Sequence, residues 1–298
     1  MTAVIELDKV TKTYGGSSRG VNDISLQVAK GSVFGFLGPN GAGKSTTINM
    51  LVDLIRPTAG HISIFGLDST KDSLQIRRRI GFLTGDMALD ESLTGWQQLT
   101  YFAHLHGTVP TKKIQELAKQ LDLKLDRKIK TLSRGNRQKV GLVSALMHEP
   151  ELLVFDEPTT GLDPLIQAQF NTIILDNQKR GNTTFMSSHL LSEVQEICDQ
   201  VAFIREGQII QVQAMKGIAA GAPKQIRIIS TDHQLRAQLA KIPGLTLSSN
   251  SGVIDLTFSG DINQLLDVLA KHKLTDVTIQ EADLEAIFMG YYQGDKHA

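Results

Sequence analysis

The stretch Gly38-Pro39-Asn40-Gly41-Ala42-Gly43-Lys44-Ser45-Thr46 fits the pattern G-x-x-x-x-G-K-[ST]. An apolar, β-like run precedes it (Ser32–Leu37), and a helix-like run follows it (Thr46–Leu51). Its glycines let the backbone curl so that several N–H groups point at one anion, and the helix adds its positive N-terminal end. The sequence therefore predicts a strand–loop–helix site for the phosphates of ATP or GTP.

Each residue of this loop, 38–46, is a candidate contact to the nucleotide. Lys44 can reach the β- and γ-phosphates, and the Ser45 hydroxyl can ligate Mg²⁺. The alternative is an ordinary glycine-rich turn before a helix, and the flanking strand and helix argue against it.

Composition narrows the class of protein. The 298 residues are 41% hydrophobic and 21% charged, which is ordinary for a globular chain. The formal net charge is +0, so nothing indicates a nucleic-acid partner. The one cysteine, Cys198, excludes an internal disulfide framework and fits a reducing cytoplasm. The sequence contains no run of about 18 apolar residues and no signal-peptide pattern, so we expect no membrane-spanning helix.

The chain pattern predicts an α/β fold. Short strands are expected at 3–7 and 21–28, and the character turns helical from about 94 to 148. Apolar, β-like runs then return with helices between them, which indicates a largely parallel sheet. We therefore predict a phosphate-loop NTPase core at 1–218, with a helical subdomain at about 86–150.

The C-terminal part reads as a separate small domain. Small, flexible residues near 217–223 predict a linker, placed at 219–224. Residues 225–293 follow with the order β-α-β-β-α-β and an added helix at 283–292, which predicts an α+β, ferredoxin-like accessory domain. It contains no catalytic constellation. We expect the tail, 294–298, to be disordered.

A second motif ends a strand with two acids. The apolar run Leu152–Phe155 delivers Asp156 and Glu157 to the sheet edge at which the phosphate loop is also expected. Asp156 would hold Mg²⁺, directly or through water. Glu157 would orient or deprotonate an attacking water. The alternative is a solvated acidic turn, and the upstream loop favours the catalytic interpretation.

Three further segments carry a family resemblance. Leu132-Ser133-Arg134-Gly135-Asn136 resembles the L-S-G-G-Q signature of ABC-transporter ATPases. Thr160-Gly161-Leu162-Asp163 follows at the position of that family's D-loop, and Ser187-Ser188-His189 resembles its switch-histidine segment. All motifs stand in the family's order, and the resemblance covers roughly residues 3–218.

The resemblance implies roles for five more residues. Tyr14 matches the aromatic that stacks on adenine, which implies ATP rather than GTP, although it could be a surface turn aromatic. Ser133 and the Gly135 backbone would cap the γ-phosphate of ATP bound to a second subunit. His189 would contact the γ-phosphate and help to place water, and Asp163 would couple the two sites.

The resemblance also implies a function. We expect an ATP-hydrolysing subunit that drives a separate integral-membrane permease from the cytoplasmic face of the membrane. It would act as a homodimer or paired with a similar chain. The accessory domain resembles that of bacterial drug- and bacitracin-resistance exporter ATPases, which suggests export. The alternative is a soluble regulatory switch that dimerises on ATP without transport.

Two departures from the family pattern stand out. Gly85 occupies the place of a glutamine that senses Mg²⁺, and we hypothesise that Asp86 replaces it. The signature carries Arg134 and Asn136 instead of Gly and Gln, which bears on hydrolysis more than on binding. The helical insert should carry the permease contact, with Trp96, Tyr101 and Phe102 as candidates. The alternative, internal packing of an amphipathic helix, fits Tyr101 and Phe102 better than Trp96.

Overall fold

A computed structural model of the chain describes residues 2–15, 17–85, 87–107, 109–215, 224–230, 232–248 and 253–280. The chain divides into two compact units, 1–215 and 216–298. The segment expected as a linker, 219–224, lies outside the described residues except for Lys224, which begins a strand. The expected helix at 283–292 and the tail at 294–298 also lie outside them.

The first unit is built on a six-stranded sheet with the order β10-β9-β3-β8-β7-β6. Strands β9, β3, β8, β7 and β6 run parallel, and β10 pairs antiparallel with β9 at one edge. Strands β3, β7 and β8 are buried along their whole length, and β3 and β7 are the continuous apolar runs typical of strands covered on both faces. The strands of this unit are β1 Ala3–Tyr14, β2 Ser17–Ala29, β3 Val33–Leu37, β4 Ala59–Ile64, β5 Leu67–Asp68, β6 Ile80–Leu83, β7 Leu152–Phe155, β8 Thr183–Ser188, β9 Gln200–Arg205 and β10 Gln208–Ala214.

A second, antiparallel sheet has the order β2-β1-β4-β5. Its first two strands have 12 and 13 residues, so the expected short strands at 3–7 and 21–28 were too short. Strand β1 continues through several register shifts against β2, and these irregularities interrupt the apolar–polar alternation that marks a strand in sequence. The outcome is a sheet that a simple alternating α/β pattern does not predict.

Helices surround these sheets, and side chains cap several of them. The helices of this unit are α1 Lys44–Leu51, α2 Ser73–Arg77, α3 Gly95–Leu105, α4 Thr111–Gln120, α5 Arg134–Leu146, α6 Pro164–Lys179 and α7 Leu191–Ile197. Thr94 and Gln97 form a reciprocal capping box at the start of α3. Helices α3 and α4 both contact α5. No helix among the described residues is long and apolar enough to cross a membrane.

Two expectations about side chains have different outcomes. Cys198 is buried, and desolvation raises the pKa of its thiol, as expected for a small core residue rather than a reactive group. Internal packing for Tyr101 was wrong, because its side chain is 56% exposed on α3 and contacts Phe102 beside it. The helical spacing of apolar residues in a sequence does not tell whether the apolar face is buried or exposed to solvent.

The second unit contains a four-stranded antiparallel sheet with the order β12-β13-β11-β14. Its elements are β11 Lys224–Ile229, α8 His233–Leu239, β12 Leu245–Leu247, β13 Val253–Phe258, α9 Ile262–Leu269 and β14 Asp276–Gln280. Alternate residues of β11 and β13 enter a core that also holds Leu235, Leu239, Leu265 and Leu269. Unit 2 therefore has its own apolar core.

A stacked pair of histidines joins the end of α3 to the segment that follows α5. The rings of His106 and His148 lie 3.9 Å apart with an angle of 14° between their planes. His148 Nε2 lies 3.1 Å from the carbonyl oxygen of Ile80, and backbone contacts of the ring with Ile80 and Ser144 raise the pKa of His148 against the larger opposite effect of burial. Burial lowers the pKa of both rings, and His106 lowers that of His148 further.

We expect this pair to make stability fall in mild acid. Because the folded pKa lies below the ordinary value of 6.5, the unfolded chain binds the proton first as the pH falls. The contribution of the neutral histidine pair to the free energy of unfolding is therefore fully present above pH ~6.5 and is lost as the pH falls below it. Each kcal/mol of stability lost should lower Tm by about 2–4 °C. Thermal unfolding at several pH values, followed by fluorescence of the only tryptophan, Trp96 on α3, measures the decline in the first unit.

The variant His148→Gln should flatten that decline, whereas His104→Gln, an exposed histidine on α3, should leave it unchanged. An equal acid response in wild type and His148→Gln would contradict the assignment.

Candidate nucleotide-binding site

The phosphate loop connects the buried strand β3 to helix α1. Gly43 caps the helix with φ 109°, a left-handed conformation that favours glycine. A Cβ at this position would lie 2.7 Å from Val21 Cγ1 and 3.0 Å from the Gly20 carbonyl oxygen. Glycine is therefore required both by backbone conformation and by the close approach of strand β2.

Lys44 begins α1, and its ammonium is buried at the centre of the loop. Nζ donates hydrogen bonds to the carbonyl oxygens of Gly38, at 2.6 Å, and Pro39, at 3.3 Å. It also lies 3.2 Å from Glu157 Oε1, and this ion pair is largely shielded from solvent. The loop carbonyls and the carboxylate at the acidic strand end thus share the charge of Lys44 between them.

A cleft of about 690 Å³ opens above the loop. Tyr14, whose side chain is 42% exposed, lies at its wall, as a residue that stacks on a base must. Gly20 on β2 also lines the cleft, and no motif in the sequence marks it. The described residues that line it are Tyr14, Gly20, Asn40, Gly41, Gly43, Lys44, Ser45, Thr46 and Glu157.

Asp156 is held by a serine from the neighbouring parallel strand. The Ser187 hydroxyl donates to Asp156 Oδ1 at 2.6 Å and accepts from the backbone N–H of Glu157 at 3.0 Å. Sequence reasoning selected the segment 187–189 for its histidine and missed this role of Ser187. The register of β7 against β8 places the two residues together, and no spacing along the chain reveals that register.

Both oxygens of the Glu157 carboxylate are engaged. Oε1 faces Lys44, and Oε2 lies 2.7 Å from His189 Nδ1. The Glu157 backbone has φ 51°, an unusual conformation for a residue with a side chain, and strain of this kind concentrates at functional sites. Lys44, Glu157 and His189, all expected to be catalytic, therefore meet in one chain of polar contacts.

The residues expected to bind Mg²⁺ fit that ion in their chemistry. Ser45 lines the cleft with a hydroxyl, and Asp156 supplies a carboxylate at the end of β7, both hard oxygen donors. Among the described residues, no group of three or more His, Cys, Asp or Glu could hold a metal ion. Ser45 and Asp156 alone supply two oxygen donors, so an ion held by them would need further ligands. Asp86 lies outside the described residues. A Cβ at Gly85 would lie 3.9 Å from the Asp156 carbonyl oxygen.

The signature segment starts helix α5. Ser133 is exposed and caps the helix by accepting from the Asn136 N–H at 3.3 Å. Gly135 packs so closely on the Gly161 carbonyl oxygen that a Cβ would collide with it. Of the described residues that line the cleft, none belongs to 132–136 or 160–163. Asp163 caps α6 by accepting from the Ile166 N–H at 3.1 Å.

Two further side chains, Gln138 and Glu193, support this arrangement, and no motif in the sequence marks either of them. Gln138 on α5 donates from Nε2 to the carbonyl oxygens of Pro158, at 3.0 Å, and Glu157, at 3.4 Å. Glu193 accepts hydrogen bonds from the hydroxyls of Thr159 and Ser188. These contacts fix the residues around Glu157 from both sides.

Comparisons with known proteins agree with this geometry. The family model described as ABC transporter matches residues 21–160. The chain is 39% identical over 219 residues to an uncharacterized ABC transporter ATP-binding protein, YhcH, of Bacillus subtilis (strain 168), covering 72% of each chain. It is 39% identical to the bacitracin transport ATP-binding protein BcrA of Bacillus licheniformis, covering 71% of this chain and 70% of that one. Identity to the daunorubicin resistance ATP-binding protein DrrA3 of Streptomyces coeruleorubidus is 31%, over 96% of this chain and 94% of that one.

The fold is also similar to solved structures. One, the dimeric structure of MJ0796, a bacterial ABC transporter cassette, matches 71% of this chain and 98% of that chain with a TM-score of 0.65 and 25% identity. The strand–loop–helix, the acidic strand end and the sequence matches point the same way: the chain belongs to the ABC transporter family, as an ATP-binding subunit with the ABC ATPase fold.

Proposed function

We propose that this chain hydrolyses ATP, as one of a pair of cassettes, to power export through a separate integral-membrane permease at the cytoplasmic face of the membrane. The observation that carries the proposal is a chain of contacts beside one cleft: Lys44 and Glu157 line the cleft and pair with each other, and His189 contacts Glu157. Export is supported by relatives named for bacitracin transport and daunorubicin resistance. The regulatory-switch alternative is not favoured, because these relatives are transporter subunits.

The geometry supports an in-line displacement. Lys44 binds the β- and γ-phosphates, and the loop N–H groups of 38–46 bind the remaining phosphate oxygens. Glu157 orients a water and takes its proton as the water oxygen attacks the γ-phosphorus and the bond to the β–γ bridging oxygen breaks. His189, 2.7 Å from Glu157, contacts the γ-phosphate and holds the water in place. Tyr14 stacks on the adenine.

Ser45 and Asp156 are the residues that would hold Mg²⁺. When bound, the ion neutralises charge on the β- and γ-phosphate oxygens. Ser187 positions the Asp156 carboxylate for this role, since its hydroxyl fixes one of the two carboxylate oxygens at 2.6 Å. Asp86 is proposed to take the place of the missing glutamine, and Asp86→Ala should then alter ATP turnover and its Mg²⁺ dependence in a Mg²⁺ titration.

A second cassette completes the site. Ser133 and the N–H of Gly135 stand at an exposed helix N-terminus, which favours an anion, yet they do not line the cleft of their own chain. They therefore suit the γ-phosphate of ATP on a second copy or a similar chain. Asp163, close in sequence to the Gly161 that touches Gly135, links the two sites. ATP then holds the pair together because the closed pair binds it best.

The permease contact is assigned to a small hollow in the first unit. It measures about 230 Å³ and is lined by Val52, Leu54, Arg77, Ile80, Phe82, His106, Ser144, Ala145 and His148. Leu54 is exposed on it, and Tyr101 and Leu105 are exposed on α3. Exposed apolar side chains of this kind mark interaction surfaces. The second unit, with the strand order of a ferredoxin-like domain, is the accessory domain.

The pair is tested with Glu157→Gln, which removes the proposed base. We expect turnover to fall about 10²- to 10⁴-fold while ATP still binds and a stable dimer accumulates. Light scattering after size exclusion in Mg·ATP measures the dimer. Lys44→Ala in the same background should bind no nucleotide, and Ser133→Arg should bind ATP yet remain monomeric. Preserved steady-state turnover in Glu157→Gln would refute the assignment of the base.

The Lys44–Glu157 ion pair yields a separate expectation about binding. A phosphate must replace Glu157 at Lys44, so weakening the pair should tighten ADP binding about 3- to 10-fold. Calorimetry with ADP, which does not require the dimer, measures this in Glu157→Gln and in Glu157→Asp. The aspartate keeps the charge but is one methylene too short to reach Lys44.

If Glu157→Gln tightened ADP binding and Glu157→Asp did not, the cause would be general repulsion between the carboxylate and the phosphates. The ion pair with Lys44 would then not be responsible. Glu193→Gln, a nearby carboxylate that contacts Thr159 and Ser188 rather than Lys44, serves as the matched control.

A further inference from the structure

We propose that Lys12 is a positioning residue for the base of ATP and acts through the ring of Tyr14. The two residues stand two positions apart near the end of β1. The ammonium of Lys12 lies 5.5 Å from the centre of the Tyr14 ring, within the range of a cation–π contact. Tyr14 lines the cleft and Lys12 does not, so the lysine supports the ring from outside the space for the nucleotide.

The ammonium is itself fixed in place. Nζ donates a hydrogen bond of 2.7 Å to the carbonyl oxygen of Arg56, in the connection that follows α1. A second tie runs nearby, because the backbone N–H of Thr13 donates to Thr58 Oγ1 at 3.2 Å. Among the described residues, Lys12 forms no ion pair with a carboxylate that would neutralise its charge. Helix α1, which begins with Lys44, is thus connected through Arg56 and Lys12 to the ring that receives the base.

The consequence is an orientation of Tyr14 that exists before the nucleotide arrives. A half-exposed ring loses rotational freedom when a base stacks on it, and that loss weakens binding. The fixed cation of Lys12 restricts the ring in advance and so reduces this loss. The contact should contribute about two- to fivefold to nucleotide affinity, the range for an exposed cation–π pair. This inference rests on the proposed adenine site at Tyr14.

The experiment compares ligands with and without a base. Calorimetry measures the binding of ADP and of inorganic pyrophosphate to the full chain and to Lys12→Met. We expect Lys12→Met to weaken ADP two- to fivefold and to leave pyrophosphate unchanged. Lys12→Arg, which retains a cation for the ring, should restore ADP affinity. Lys9→Met removes an exposed lysine from the same strand and should change neither ligand.

A double-mutant cycle with Tyr14→Leu separates the possible failures. Once Tyr14 is leucine, Lys12→Met should cost no further ADP affinity. If it still weakens ADP, or if ADP and pyrophosphate weaken equally, Lys12 acts through charge or loop structure and the inference is overturned. If Tyr14→Leu binds ADP as wild type does, the adenine site itself is wrong. If Tyr14→Leu weakens ADP binding while Lys12→Met does not, the adenine site stands and the positioning role of Lys12 is overturned.

Discussion

The site depends on where the charge of one buried lysine is placed. Lys44 is 6% exposed, and an ammonium so far from water must be surrounded by acceptors. Two loop carbonyl oxygens and Glu157 provide them, and this requirement fixes the curl of the loop and the approach of the acidic strand end. A phosphate offers the same ammonium better acceptors, so nucleotide binding rearranges a network that is already assembled.

The parallel sheet is what makes that network possible. Strands β3, β7 and β8 end at one edge, so the loop after β3, the acids after β7 and the histidine after β8 arrive together although they are far apart in sequence. The alternation of strands and helices was sufficient to predict this edge, and hence the meeting of Lys44 and Glu157, whereas only the family resemblance placed His189 there. The loop was the strongest prediction, because its geometry is set by residues adjacent in the chain.

What the sequence did not reveal depends on pairing between distant segments. Ser187 reaches Asp156 only through the register of neighbouring strands, and Gln138 reaches the carbonyl oxygens of 157–158 only through the packing of α5. Strand β1 continues to Tyr14 because β2 and β4 pair with it through irregular registers. The exposed ring of Tyr101 shows the same limit, since a helical period does not state which apolar face lacks a neighbour.

The contact between Gln138 and the backbone of 157–158 has a mechanical consequence for an assembled pair. In the proposed pair, helix α5 presents at its N-terminus the surface offered to the nucleotide of the other copy. One turn later, the Gln138 amide donates to the backbone carbonyl oxygens of Glu157 and Pro158 in its own copy. A movement of that N-terminus would therefore reach the backbone of the general base within a few residues, so that each copy would respond to the nucleotide bound by the other.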